Sequence, residues 1–358
     1  MESSTALLAQ LSKAAGTPGN EGDVRAVIRQ HLEGLADFSH DKLGSLICRR
    51  KGEPAAPKVM LAGHMDELGF IVRLVTEDGF IKFHNLGGWW THTMLAQRVV
   101  IKAATGDVPG VIGAKPTHHL GAEERKKLKG IPDMYIDVGA SSKQEAMEEF
   151  GIQPGDHIVP STEFVELRNR RLVSGKAFDD RVGVALFVDA IRRLADEGLP
   201  NAVYGVGTAQ EEVGTRGAKT AAQMIDPDVA IVLEGCPADD TPGFVKEERQ
   251  GVLGQGPQIR LFDPSMIPNR ALSRFVLDVA QGSQITHQVA VRVSSATDGR
   301  PIHVHHTGVP TVVIAPPVRY IHSHVGVLHL DDYDNALHLL MELLRRLDAE
   351  TVASFTAF

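Results

Sequence analysis

The chain has 358 residues, 43 % hydrophobic and 23 % charged, with 37 basic against 45 acidic side chains and a formal net charge of −8. Such values exclude a disordered or collagen-like chain, and the length accommodates roughly two domains of about 150 residues, each large enough for its own core. The acidic balance disfavours nucleic-acid binding, which uses a basic patch.

Taken in chain order, the first forty residues read as helix. Leu7, Leu8 and Leu11 recur at helical spacing, Thr17-Pro18-Gly19-Asn20 breaks the run, and Glu21 to Leu35 resumes it. Lys58 to Ala62 is a short apolar run ending at Gly63, the mark of a buried strand. From about Gly69 to Pro160 alternating segments such as Gly69 to Val75, Arg98 to Ile101 and Gly110 to Gly113 suggest antiparallel strands with glycine turns. Within them Glu123 to Lys129 is a charge run expected as a solvated loop or turn. After about Arg171 strands and helices alternate. Helices are expected over Asp180 to Leu194 (strongly amphipathic), Thr215 to Met224, Pro268 to Gln281 and Asp332 to Ala349. Strands are expected over Ala202 to Thr208, Val229 to Leu233, His287 to Val293 and Thr311 to Ala315. Alternation of this kind predicts an α/β fold with an open, mostly parallel sheet. The β-rich block interrupts it as an insertion over 69–165, flanked by 1–68 and 166–358.

The two cysteines, Cys48 and Cys236, cannot build a disulfide framework and read as reduced thiols. The start Met1-Glu2-Ser3-Ser4-Thr5 lacks the basic opening of a signal peptide. No apolar run approaches the ~20 residues that span a bilayer. A cytoplasmic chain without a membrane partner is expected.

Several expected strands run into metal-capable residues. One ends in Gly63-His64-Met65-Asp66-Glu67, another in Gln210-Glu211-Glu212, a third in Glu234-Gly235, and the last leads to His322-Ser323-His324. Asp179-Asp180 lies at the start of a helix. Ligand sites of open α/β sheets lie beyond the carboxyl ends of strands, so these segments converge. Each has a bland reading alone: a satisfied core histidine for His64, a helix N-cap for Asp179-Asp180, a helix-end contact for Glu211-Glu212, a solvated loop for Glu234, a surface residue for His322. Together, two histidines and several carboxylates form a mixed N/O set suited to zinc, cobalt or manganese. Such a set can hold two divalent ions about 3.5–4 Å apart. Asp66, two residues after His64, can accept the other ring N–H and fix the tautomer. One of the paired glutamates is then spare, a natural general base for an activated water.

Those segments, with Ala177-Phe178-Asp179-Asp180-Arg181-Val182-Gly183, Glu212-Val213-Gly214-Thr215-Arg216-Gly217-Ala218 and Arg319-Tyr320-Ile321-His322-Ser323, resemble the cytoplasmic two-metal aminopeptidases that include the tetrahedral (TET) and glutamyl aminopeptidases, some of which carry the label endoglucanase. Ala140-Ser141-Ser142-Lys143 and Pro154-Gly155-Asp156 resemble that family's inserted domain. The resemblance runs over nearly the whole chain. It implies a zinc-peptidase-like domain with helices on both faces of its sheet, an inserted β-barrel-like dimerisation domain, and dimers assembling into a dodecamer. It implies that His64, Asp179 and Glu234 hold one ion, that Asp179, Glu212 and His322 hold the other, that Glu211 is the base, and that Asp66 supports His64. The substrates implied are short peptides with a free N-terminus. Many relatives carry Asp where this chain has Glu234. The histidine-rich stretch Thr297 to His306 reads first as polar contacts near the site and second as an extra metal or substrate contact. Trp89-Trp90 and His118-His119 read first as packing or interface residues. A glycoside hydrolase, needing two carboxylates but no histidines, and a non-catalytic metal-binding scaffold are the alternatives.

Overall fold

The helical start ends sooner than its periodicity suggests. α1 (Ser4–Lys13) buries Leu7, Leu8 and Leu11, and α2 (Gly22–Leu32) buries Val24, Ile28 and Leu32. Gly34 then takes a left-handed φ of 80°, and β1 (Ala36–His40), at the end of the stretch expected as helix, pairs antiparallel with β2 (Leu46–Arg50). The structure, a computed structural model, describes residues 3–52 and 54–357. β3 (Lys58–His64) follows, buried along all but its first residue.

The inserted block closes into a barrel of six strands. They are β4 (Gly69–Val75), β5 (Ile81–Leu86), β6 (Arg98–Ala103), β7 (Gly106–Ala114), β8 (Met134–Asp137) and β9 (His157–Pro160). Phe70, Ile81, Val99, Ile112, Ile136 and Ile158 fill it, a core separate from that of the main sheet. Closure removes the free sheet edges of the block. The charged run folds partly as the short α3 (Ala122–Arg125) and is largely exposed.

The chain returns through β10 (Val165–Glu166) and β11 (Leu172–Gly175) to α4 (Phe178–Arg193). α4 is a helix as expected, but it has no broad exposed polar face. Fourteen of its sixteen residues are buried, because β3 lies on one side and α1, α2 and a C-terminal helix on the others. There follow β12 (Ala202–Thr208), α5 (Arg216–Ile225), β13 (Val229–Leu233), β14 (Cys236–Pro237) and β15 (Gln258–Phe262). Next come α6 (Arg270–Gly282), β16 (Gln288–Val291), α7 (Gly299–Ile302) and β17 (Thr311–Ala315). β18 (Pro317–Arg319), β19 (Gly326–His329), α8 (Leu330–Leu344) and α9 (Ala349–Ser354) end the chain. Among the described residues no helix is long and apolar enough to cross a membrane.

The main sheet has the order β1-β2-β12-β3-β13-β17-β15-β16, and its centre, β12-β3-β13-β17, is parallel throughout. Successive side chains of a strand face opposite ways, and β3 shows it. Val59 and Leu61 join the core beneath α1, α2, α4, α6 and α8, whereas Met60 and Ala62 join the core beneath α5 and α7. Helices thus cover both faces, which is why the central strands read as unbroken apolar runs. Parallel packing also brings the carboxyl ends of β12, β3 and β13 to one edge.

α4 crosses β3 with glycine against glycine. A Cβ on Gly63 would lie 2.7 Å from the Gly183 carbonyl carbon and 2.8 Å from the Val184 nitrogen. Both are backbone atoms and cannot rotate aside. Gly63→Ala is expected to destabilise the fold by about 1–3 kcal/mol, the usual effect of overpacking. Urea unfolding monitored by far-UV circular dichroism measures it, and an unchanged midpoint would show slack between α4 and β3.

Candidate metal centre

His64 ends β3, the glutamate pair lies just beyond β12, Glu234 follows β13, Asp179 lies in the first turn of α4, and His322 lies beyond β18. The bends that aim these residues are tight. Ala177, Gln210, Thr215, Tyr320 and His322 all hold positive φ in or beside the same segments, the kind of backbone strain that gathers at functional sites.

The side chains meet. The Nε2 of His64 lies 2.9 Å from Asp179 Oδ1, 3.4 Å from Glu234 Oε1 and 3.9 Å from Glu211 Oε2. The other oxygen of Asp179 lies 3.5 Å from His322 Nε2, which is 3.9 Å from Glu212 Oε2. Asp179 therefore presents one oxygen to each imidazole. All five residues expected as ligands, with Glu211, fall in one cluster. Asp180 shares the vicinity, since His64, Asp180 and Glu234 offer ligand atoms within 4.8 Å of one another, as do His64, Asp179 and Glu212.

Asp66 acts differently from expectation. The ring N–H at Nδ1 of His64 donates to the Asp66 main-chain carbonyl at 2.9 Å, while the nearer carboxylate oxygen stands 3.5 Å from that nitrogen. The two oxygens of the carboxylate accept instead the backbone N–H groups of Glu211 and Glu212, at 2.9 and 3.0 Å. Asp66 thus fixes the loop that carries both glutamates. His322 is fixed from the barrel, its Nδ1 lying 2.9 Å from the carbonyl of Gly88. Both imidazoles keep Nε2 turned to the carboxylates, the orientation a supported metal ligand needs.

Other supporting residues, several of them inside those motifs, take roles that spacing alone does not show. Asp180 is fully buried and accepts N–H groups from His64, Gly183 and Gly235. Lys176 Nζ donates to both oxygens of Glu67 at 2.6 and 2.8 Å, and Arg181 Nη2 reaches the same carboxylate at 3.4 Å. Arg181 also donates to the carbonyls of Leu11 and Ala14, tying α1 to the site. Asp298, from the histidine-rich stretch, is buried and accepts a short hydrogen bond from Thr208. The histidines of that stretch lie elsewhere: His303 bonds back to the Gly299 carbonyl, and His305 and His306 stand beside Asp226. Trp89 packs on Phe70 at a ring separation of 4.8 Å, whereas Trp90 is 62 % exposed.

The electrostatics follow from crowding acids in a dry site. Burial, then the charge of Asp179, carries Glu212 up to about 8. Burial, with Asp179 also raising it, carries Glu234 to about 7 against the lowering pull of His64. Burial raises Glu211 well above the usual range, with Asp298, Glu234 and Glu212 adding to it. Asp179 goes the other way: burial opposes ionisation, but His322 and His64 hold it low. Burial pulls both histidines down, yet their bonds to Asp179 outweigh it, leaving His64 well above its usual value and His322 at about 9. A proton on each Nε2 stands where a cation would serve all these carboxylates at once. One oxygen of Glu212 is buried without any hydrogen-bond partner. The donor set and this orphaned oxygen fit a divalent metal with mixed N/O ligands.

Comparison with known proteins agrees. The profile of the M42 glutamyl aminopeptidase family matches residues 44–339. A putative aminopeptidase, FrvX, of Escherichia coli (strain K12) is 37 % identical over 354 residues, 98 % of each chain. The TET aminopeptidase from the marine sediment archaeon Thaumarchaeota archaeon SCGC AB-539-E09 superposes with a TM-score of 0.96 at 46 % identity over 99 % of both chains. The TET1 peptidase of Pyrococcus horikoshii, described as assembling into a tetrahedron or a large octahedral shell, superposes with a TM-score of 0.85 at 33 % identity, covering 96 % of this chain and 100 % of that one. With the profile spanning most of its length, the chain belongs to the M42 glutamyl aminopeptidase family.

Proposed function

We propose that this metal-dependent aminopeptidase uses two divalent ions, zinc or cobalt with manganese as a further fit, to remove N-terminal residues from short peptides. The observation that carries the proposal is Asp179, whose two oxygens face two different imidazoles, 2.9 and 3.5 Å away. A bridging carboxylate would take that position. His64, Asp179 and Glu234 would hold one ion, and Asp179, Glu212 and His322 the other. When bound, the ions supply Lewis acidity for the scissile carbonyl and acidify a water. Glu211 is left without a ligand's duty. It takes the proton of the attacking water as oxygen adds to the carbonyl, and returns it to the amine as the C–N bond breaks. Asp66 and Asp180 position these residues through backbone bonds.

The cleft beside the cluster supports a preference for acidic N-terminal side chains. Arg260 and Arg300 line it together with Thr215, Ser295 and the ligands. Arg260 is buried with Nε unpartnered, and its nearest paired carboxylate, Asp263, is 3.9 Å away. A carboxylate entering from the substrate would complete that guanidinium. For assembly, the TET1 relative, described as forming a tetrahedron, supports a homo-oligomer in which dimers assemble into a dodecamer, with the barrel as the dimerisation domain. The glycoside hydrolase alternative has no tryptophan platform for a sugar, since neither tryptophan lines the described cleft.

Chromogenic aminoacyl substrates and their N-acetylated forms test the reaction. Hydrolysis of the free-amine forms alone is expected, lost on chelation and regained with zinc or cobalt; cleavage of the acetylated forms would end the exopeptidase reading. His64→Ala and His322→Ala should lose metal and activity together, and full metal occupancy by elemental analysis in both would contradict the ligand set. Glu211→Gln should keep its metal while kcat falls about 10²–10⁴-fold, the usual contribution of a general base. Arg260→Met should lower kcat/KM for glutamyl substrates about tenfold to a hundredfold, as loss of a charged hydrogen bond implies, and leave leucyl substrates little changed. An equal loss on both substrates would mean that Arg260 serves the fold and not selection.

A further inference from the structure

We infer that Asp226, His305 and His306 form a separate site for a borderline divalent cation such as zinc, on the sheet edge opposite the His64 cluster. Their ligand atoms lie within 4.8 Å of one another. The Nε2 of His305 is 3.5 Å from Asp226 Oδ1, and that of His306 is 3.8 Å from the same oxygen. Metal arms of 2.0–2.1 Å in a tetrahedron set donors about 3.3–3.4 Å apart, so each histidine nitrogen needs to close on the Asp226 oxygen by only a few tenths of an ångström. Asp226 and His306 are each 64 % exposed at the side chain and free to do so.

The location follows from the fold. Asp226 caps the carboxyl end of the ten-residue α5, where the helix dipole favours positive charge. Two residues on, Asp228 accepts the backbone N–H of Lys58, the first residue of β3. β3 runs seven residues from Lys58 to His64, so the trio lies about 20 Å from the His64 cluster at the usual rise per residue. α7 packs on α5 through a shared core containing Ile225 and Ile302, and this brings the loop after α7 against the α5 terminus.

His305 supplies an independent pointer. Its Nε2 is buried without a hydrogen-bond partner, turned toward Asp226 at a distance too long for a direct bond. Buried polar atoms are otherwise paired. A cation between the two would satisfy nitrogen and oxygen together. Two imidazoles and one carboxylate suit zinc, cobalt, nickel or copper rather than calcium or magnesium, and leave a fourth position to water. The ion would fasten the end of α5 to the segment after α7. The stretch just before α7, Ser295 to Thr297, lines the cleft of the proposed aminopeptidase site.

Zinc itself is the probe. The full-length wild type, Asp226→Asn and His306→Ala would be equilibrated at buffered micromolar free zinc, freed of excess by gel filtration and analysed for zinc per chain. Each variant should hold one equivalent less than the wild type, with peptidase activity retained. A chain carrying His64→Ala and His322→Ala should still bind one zinc, lost when His306→Ala is added. Equal zinc content in the wild type and both single variants would overturn the site.

Discussion

The active edge of this molecule depends on one buried carboxylate, that of Asp180. Its oxygens accept N–H groups from His64 at 3.0 Å, Gly183 at 2.9 Å and Gly235 at 2.9 Å. The donors belong to the end of β3, the first turn of α4 and the residue after Glu234. Three chain segments, each bearing or adjoining a candidate ligand, are thereby fixed to a single group. Loss of an acceptor from a buried donor costs about 1–3 kcal/mol, so three at once would outweigh any local rearrangement. The glycine contact of Gly63 with Gly183 makes the approach close enough for these bonds, and the bonds hold it there. Asp66 repeats the device at the neighbouring strand end, where its two oxygens hold the N–H groups of Glu211 and Glu212.

That rigid backbone lets the side chains be crowded against their own electrostatics. Glu211, Glu212 and Glu234 are all pushed up by burial first, and next by neighbouring acids: Asp179 for Glu212 and Glu234, and Asp298 with the other two glutamates for Glu211. Each is disfavoured as an anion until positive charge arrives. The imidazoles of His64 and His322 supply some by holding a proton on the nitrogen that faces Asp179. A divalent cation at these points would satisfy more carboxylate oxygens than the protons do, including the orphaned oxygen of Glu212. The cluster is poised to release protons on taking up metal. Cys236, whose thiol is raised to about 12 chiefly by burial, does not compete as a thiolate.

The barrel is joined to this centre by more than its two chain crossings. Its loop at Gly87 and Gly88 closes one wall. A Cβ on Gly87, whose φ is 87°, would fall 2.1 Å from Leu68 Cδ2 and 3.3 Å from the Glu212 side chain. Gly88 lends its carbonyl to His322. Trp89 sits 4.9 Å from the ring of His324, two residues beyond His322. Thr17, between α1 and α2, bonds His157 of β9. The glycines at 87 and 88 thus have a reason that no turn rule gives: they admit the barrel to the site.

Much of this architecture was legible because burial on both faces of a parallel sheet leaves apolar runs, and because polar residues directly after such runs fall on one edge. β3, β12, β13 and β17 are read that way, and the residues after the first three bring His64, Glu211, Glu212 and Glu234 together. β1, β2 and β15 were not legible: β1 is mostly exposed, and Leu46–Arg50 and Gln258–Phe262 carry arginines inside short runs. The burial of α4 was not legible, since its polar residues are buried against α1 and α8 partners that lie far away in the chain. The division of labour within Asp179-Asp180 is the sharpest limit. Neighbours of the same type differ only in which way the backbone turns them, one toward two imidazoles and the other toward three amides. Composition and spacing are blind to that difference, because it is created by Gly183 and Gly235 arriving from separate elements. A carboxylate on this edge faces the imidazoles or braces the backbone according to whether backbone donors reach it first.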